Sequence, residues 1–455
     1  MKESDQTRFD KLVNWAQSHG ARLHPSLEVY HDDVTKFSLR VKESATSLDT
    51  GFIAVTCPLS ITLSYLNVLI DGPFVSSSSA SETPTFPVRF MASLPPHVIG
   101  RFFLIHEYLK GSNSFWHPYI ATLPRPEQLG SWALPAFWPK EDVDFLEATN
   151  AAVAVEEIKS NVKREFKQAR KVLKEEGFPD WQDYSRVLYN WAFCIFTSRS
   201  FRPSLITSPS SREQISETLP ERCVVDDFSV LQPLFDIPNH SITAKYSWDL
   251  TSDPTSCQLI CQDAYQPGDQ VYNNYGMKTN SELLLGYGFL LPETEQLHND
   301  YVHVRKRQED SSTDKPKDFL ISLRPFDHPG SLAGRARPGG LSSRLQSLRQ
   351  FSHFEPALVD DLASSLSTAE EEQAIDQPSS DGDIFPRNPL LEGLVGRIKA
   401  ALTAKLQSDL QKLKEVDIAE SEDGIFAVNH NQQLALEYRG QCGKVISAAL
   451  EALGN

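Results

Sequence analysis

Asp236, Asn239 and His240 follow the apolar run VLQPLF in a turn of the form Asp-x-x-Asn-His. Such a turn offers backbone and side-chain hydrogen-bonding groups that can hold the charged amino-acid end of a small molecule. Asp236 can orient that loop or accept from an amine. Tyr275 brings a phenol that can orient a reacting group and donate or accept a hydrogen bond beside it. Tyr287 and Phe289 add aromatic faces that suit an ammonium or a sulfonium. Taken singly, each residue also has an ordinary reading: an Asn-His pair as a turn, an Asp as a cap, a Tyr as a strand edge, a ring as core.

Order and spacing carry more. The Asn-His turn is followed by the turn Pro267-Gly268-Asp269 leading into Val271-Tyr272. Then come Tyr275-Gly276 and the run Asn280-Ser281-Glu282-Leu283-Leu284, closing at Gly286-Tyr287-Gly288-Phe289. This succession resembles the Asn-His motif and terminal tyrosine segment of the SET-domain methyltransferases. SRSF at Ser198–Phe201, LPAFWPKEDVDFL from Leu134 and LEYRGQ from Leu436 are similar to segments of the Rubisco large-subunit methyltransferase-like group.

The resemblance implies an S-adenosyl-L-methionine-dependent protein-lysine N-methyltransferase acting on a non-histone protein. It implies Tyr275 as the catalytic residue and no metal. It assigns Phe37, Leu39, Asp236, Asn239, His240 and Phe289 to the cofactor, and Ser198, Arg199, Phe201 and Tyr287 to the substrate. Two alternatives stand beside it: a protein-histidine N-methyltransferase of the same fold, and a non-catalytic SET-like binding scaffold. The chain departs from the family at Lys36-Phe37-Ser38-Leu39, where relatives carry Gly-x-Gly, so close backbone approach there depends on the dihedrals. It also lacks a Cys-rich zinc cluster after Phe289, where only Cys442 remains, which points away from histones.

The 455 residues suggest two domains or one with a large appendage. Sixty Asp and Glu against 44 Lys and Arg leave a net charge of −16, unfavourable for direct nucleic-acid binding and suited to a basic protein partner, ribosomal or translational by family analogy. Six cysteines without a CxxC pair read as reduced thiols. An N-terminus lacking signal or transit character, with no long apolar run, makes membrane spanning unexpected and favours a cytoplasmic or nuclear monomer.

The elements that would position the site are legible in outline. Phe9, Leu12, Val13 and Ala16 predict an opening helix ended by Gly20. VTKFSLRV, GFIAVTCP and SITLSYL predict short strands between Leu27 and Leu69. Ser76–Pro87 reads as a surface loop. A helical block follows at about 96–201, its middle stretch 155–177 read as a solvated helix, and Arg202–Glu221 as another exposed loop.

Strands return between Val224 and Phe289. In the last third, Gln308–Lys317 is polar and Ser364–Asp383 is acidic and flexible. The leucine series from Leu391 to Leu413 and from Leu434 to Leu450 predicts two amphipathic helices. The fold class is α+β: a SET-type β core of short curved sheets, residues 1–305 with the helical insertion, and a separate all-α substrate-binding domain, residues 306–455.

Overall fold

A computed structural model describes residues 5–32, 36–69, 84–250, 253–306, 317–331, 348–376, 389–415, 420–421, 424–425 and 427–454. Two compact units partition the chain, one formed by residues 1–133 and 160–276, the other by 134–159 and 277–455.

In the first unit the helix Asp5–Ser18 buries Phe9, Leu12 and Ala16 on one face, and Gly20 just beyond it adopts φ 90°. Helical spacing puts those side chains on one stripe, and glycine takes the left-handed turn without a Cβ penalty. The strands Leu27–Asp32 and Lys36–Val41 pair antiparallel, and Gln270–Val271 joins the latter opposite Leu39 and Arg40. A second sheet orders Arg22–Leu23, Phe52–Pro58, Ser256–Cys261 and Tyr246–Asp249. A third places Val230–Leu231 between Leu63–Ser64 and Ser200–Phe201. Strands of two to seven residues need side chains from several sheets to close a core, and Val41, Val55, Leu231 and Val271 are all fully buried.

Three sequence expectations change here. SITLSYL is strand only at Leu63–Ser64. Around it the chain turns into short 3-10 segments because Ser64 and Asn67 form a reciprocal cap, with the Ser64 N–H donating to Asn67 Oδ1 at 2.7 Å. The region Arg202–Glu221 is not an open loop. Pro203 and Pro209 start helices Pro203–Ile206 and Pro209–Thr218, and Ser208 caps the second by accepting from Ser211 N–H. The helix Asn150–Glu175 is amphipathic, since Ala151, Val155, Val162, Phe166, Ala169 and Leu173 step by three, four or seven and are all buried.

The second unit is built on the helices Pro389–Glu415 and His430–Gly454, whose Leu391, Leu394, Ile398, Leu402 and Leu406, and Leu434, Tyr438, Cys442, Val445 and Ala449, are buried. It is helical but not all-α. Tyr301–Lys306 and Lys317–Ser322 form an antiparallel pair, its β character set by the branched and aromatic residues Val302, Val304, Phe319 and Ile321.

Within the segment expected to be flexible, Ala369–Asp376 is a helix. Thr368 accepts from the Glu371 N–H, the Glu371 carboxylate accepts from the Thr368 N–H, and Arg397 Nη2 donates to that carboxylate at 2.5 Å. Residues 377–383 of that segment, most of the Ser76–Pro87 loop and most of Gln308–Lys317 lie outside the described residues. No helix among the described residues is long and apolar enough to cross a membrane.

Candidate active site

Three segments far apart in sequence run side by side in the first unit. The strand Lys36–Val41 carries Gln270–Val271 on its edge. Two residues on, Asn273 forms a parallel bridge with His240, its N–H donating to Asn239 O and its carbonyl accepting from Ser241 N–H, both at 2.9 Å. Asn239 is tied across the group: its Nδ2 donates to Gln270 Oε1 at 3.1 Å, and Gln270 Nε2 donates to Tyr30 Oη at 2.6 Å. The Asn239 N–H donates to Ser38 Oγ at 3.4 Å.

Tyr275 sits at the centre of this arrangement. Its hydroxyl donates to the Pro238 carbonyl at 3.0 Å, and its N–H donates to His240 Nδ1 at 3.0 Å. The two rings stack with centroids 5.0 Å apart and planes 20° off parallel. An accepting Nδ1 requires the His240 tautomer with its proton on Nε2. A phenol whose proton is committed to a carbonyl keeps acceptor capacity on its oxygen. Asn274 secures the turn, Nδ2 donating to Ile242 O at 3.1 Å and Oδ1 accepting from Gly276 N–H at 2.9 Å. Tyr246 Oη donates to the Asn274 carbonyl at 2.9 Å.

The other expected residues fall into place differently. Asp236 does not project into open space: its carboxylate is buried, accepting from Tyr119 Oη at 3.0 Å and from Arg199 Nη1 at 3.4 Å. Burial pushes its pKa up, and the Arg199 guanidinium and then the Tyr119 hydroxyl oppose that.

Arg199, the last residue of the helix Arg186–Arg199, also donates to the Asp236 carbonyl at 3.2 Å. Ser198 donates its hydroxyl to Cys194 O one turn back. Phe201 meets Phe235 and Trp248 edge-on at 6.2 and 5.5 Å, and Phe235 meets Trp248 at 6.2 Å, an aromatic wall whose ring planes lie 89°, 69° and 90° apart.

Phe37 packs on Phe9, ring centroids 4.3 Å apart and planes tilted by 32°, and Leu39 is fully buried, so alternation along the strand leaves Ser38 as the side chain facing Asn239. Tyr287 and Phe289 belong to the second unit. Their rings are 6.2 Å apart, and burial raises the Tyr287 pKa to about 12. Gly288 closes the helix Asn280–Tyr287 at φ 76°.

The residues missed by sequence reading are Tyr30, Gln270, Ser38, Tyr119, Tyr246, Asn274 and Trp248. Each acts through a partner 28 or more residues away or through the backbone of Asn239–Gly276, so local patterning carries no signal for most of them. Asn274 and Ser38 are the exceptions, since both neighbour residues already singled out.

Lys36 stands at φ 68°, the conformation of a glycine, with an exposed side chain. A lysine in this left-handed conformation costs about 1 kcal/mol. Lys36→Gly is expected to stabilise the protein by a fraction of that in urea unfolding, glycine's extra freedom in the unfolded chain offsetting part of the gain. A destabilised variant would contradict a strained Lys36.

This architecture is the SET fold. Solved structures of the SET domain of LSMT bound to lysine and AdoHcy, and of Rubisco LSMT bound to AdoMet, superpose with TM-scores of 0.64 and 0.63 at 15% and 16% identity, covering 99% and 100% of this chain and 92% of each of theirs. Among curated proteins, the chain is 30% identical over 334 residues to the ribosomal lysine N-methyltransferase set10 of Schizosaccharomyces pombe, 71% of this chain and 54% of that one. To the actin-histidine N-methyltransferase of Mus musculus it is 25% identical over 288 residues, 62% of this chain and 42% of that one. The chain thus spans about half the length of these relatives. No protein-family model matches it. The relatives are SET-domain protein methyltransferases, the group that the Asn-His and tyrosine motifs of this chain resemble.

Proposed function

We propose that this chain is an S-adenosyl-L-methionine-dependent protein-lysine N-methyltransferase whose target is a basic, non-histone protein of the ribosome or translation machinery. The observation that carries it is the seat of Tyr275, whose hydroxyl is fixed by the Pro238 carbonyl inside the same turn that presents Asn239 and His240. Similarity to a ribosomal lysine methyltransferase supports the target class. The chemistry supports a soluble compartment, cytosolic or nuclear, where all six cysteines remain thiols.

The residues present fit the proposed methyl donor. The Phe37–Leu39 main chain keeps the glycine-like entry at Lys36, and Asn239 and His240 offer polar groups beside it. S-adenosylmethionine, when bound, supplies a methyl group on a sulfonium. This chain's residues would orient and desolvate the acceptor. A lysine amine has a pKa near 10.4 in water and must be neutral to attack, so an aromatic wall such as Phe201, Phe235 and Trp248 favours loss of its proton by excluding water. The oxygen of Tyr275 would then accept from the amine and hold its lone pair in line.

A histidine acceptor would need no such desolvation, and a histidine-methylating relative keeps that alternative in play. Incubating the protein with salt-washed ribosomes and labelled S-adenosylmethionine, followed by peptide mass spectrometry, is expected to find methyl-lysine. Label confined to methyl-histidine would refute lysine specificity.

A further inference from the structure

We propose that Tyr119 is a positioning residue for methyl transfer, its hydroxyl acting through Asp236 to lock the turn 234–240 on which the Tyr275 hydroxyl is seated. The inference rests on the methyltransferase reading above.

The turn needs holding. Leu234, fully buried, stands at φ 71°, a left-handed conformation that branched and bulky side chains avoid. Two residues later the Asp236 carboxylate is gripped from two helices. Tyr119, from His117–Ile120, donates its hydroxyl to Oδ2 at 3.0 Å, and Arg199 Nη1 donates to the same oxygen at 3.4 Å and to the Asp236 carbonyl at 3.2 Å. Two residues further on, the Pro238 carbonyl accepts from Tyr275 Oη at 3.0 Å. A shift of the turn therefore moves the catalytic phenol.

Tyr119 suits this role because it is 1% exposed and fixed by packing, so its donor is already oriented. The groups facing Asp236 are Arg199, Tyr119 and the Cys57 thiol on the strand Phe52–Pro58. Burial drives the Tyr119 and Cys57 pKa values well up, so Tyr119 keeps its proton and remains a donor. Removing that donor disfavours the buried carboxylate, which moves the acid limb of activity to higher pH.

Tyr119→Phe keeps the ring and deletes the hydroxyl. Hydrogen exchange followed by mass spectrometry is expected to show faster exchange confined to residues 234–242, and methyl transfer is expected to fall about tenfold in kcat. In an Asp236→Ala background the same change should add less than about twofold to either readout, because the acceptor through which it acts is gone. A folded Tyr119→Phe protein with unchanged exchange in this turn would overturn the proposal. So would an exchange effect of full size in the Asp236→Ala background, or one spread over the whole first unit, since each marks a merely structural tyrosine. Wild-type protein that transfers no methyl group would overturn the methyltransferase reading, while the exchange measurements still decide whether Tyr119 holds the turn.

Discussion

Tyr275→Phe is expected to lower methyl transfer by about a hundredfold or more while leaving the protein folded. The variant loses one hydrogen bond, to the Pro238 carbonyl, worth about 1 kcal/mol, and keeps the N–H bond to His240 Nδ1, which the backbone makes. The ring stack on His240 also survives. Stability and activity thus separate: a change that removes only an oxygen near the reacting centre costs little in urea unfolding and much in kcat. A drop below about fivefold in kcat would mean that the phenol is a packing residue.

The pieces of this site that sequence disclosed, and those it hid, differ for a physical reason. Asn239, His240 and Tyr275 are singled out by the order and spacing of short motifs, punctuated by Pro238, Gly268 and Gly276, that resemble those of the SET family. The helix Asp5–Ser18 and the two long C-terminal helices were legible because one buried stripe repeats every three or four residues.

What could not be read was pairing across distance. Nothing near Tyr119 announces a bond to Asp236, 117 positions away, nor near Gln270 one to Tyr30, 240 away. Phe37 was assigned to the cofactor from its place in the family motif, yet strand alternation sends its ring to Phe9 and leaves Ser38 facing Asn239. The pair Tyr301–Lys306 with Lys317–Ser322 went unseen because the polar stretch between its strands broke the pattern.

Asp142→Ala carries the largest expected effect on stability, about 3 kcal/mol in the second unit. Asp142 lies in the segment LPAFWPKEDVDFL that is similar to the family. In the structure it is 2% exposed and collects three amide donors from the start of the helix His430–Gly454. Asn429 Nδ2 donates to its Oδ1 at 2.8 Å, Gln432 Nε2 to the same oxygen at 2.9 Å, and Asn431 Nδ2 to Oδ2 at 2.9 Å.

Charge-assisted bonds of this kind are about twice as strong as neutral ones, and the buried Gln432 would be left without an acceptor. Urea unfolding, with exchange at residues 427–440 as the local readout, checks it. A loss under about 1 kcal/mol would mean that solvent replaces the carboxylate. Asp142→Asn should also destabilise, because its own NH₂ faces donors. The same helix is further secured by Tyr438 Oη donating to Asn150 Oδ1 at 2.8 Å, so the variant is expected to loosen the helix start before its centre.

The central claim is that the Asn239–His240 turn and the Lys36–Leu39 strand form a working S-adenosylmethionine site despite the missing glycines. Calorimetric titration of S-adenosylmethionine into the purified wild-type protein, with Asn239→Ala alongside, tests it most directly. The account expects binding on the order of micromolar for the wild type and its loss in the variant. Well-folded wild-type protein that releases no binding heat at any temperature would contradict it and leave a SET-fold scaffold that binds partners without methylating them.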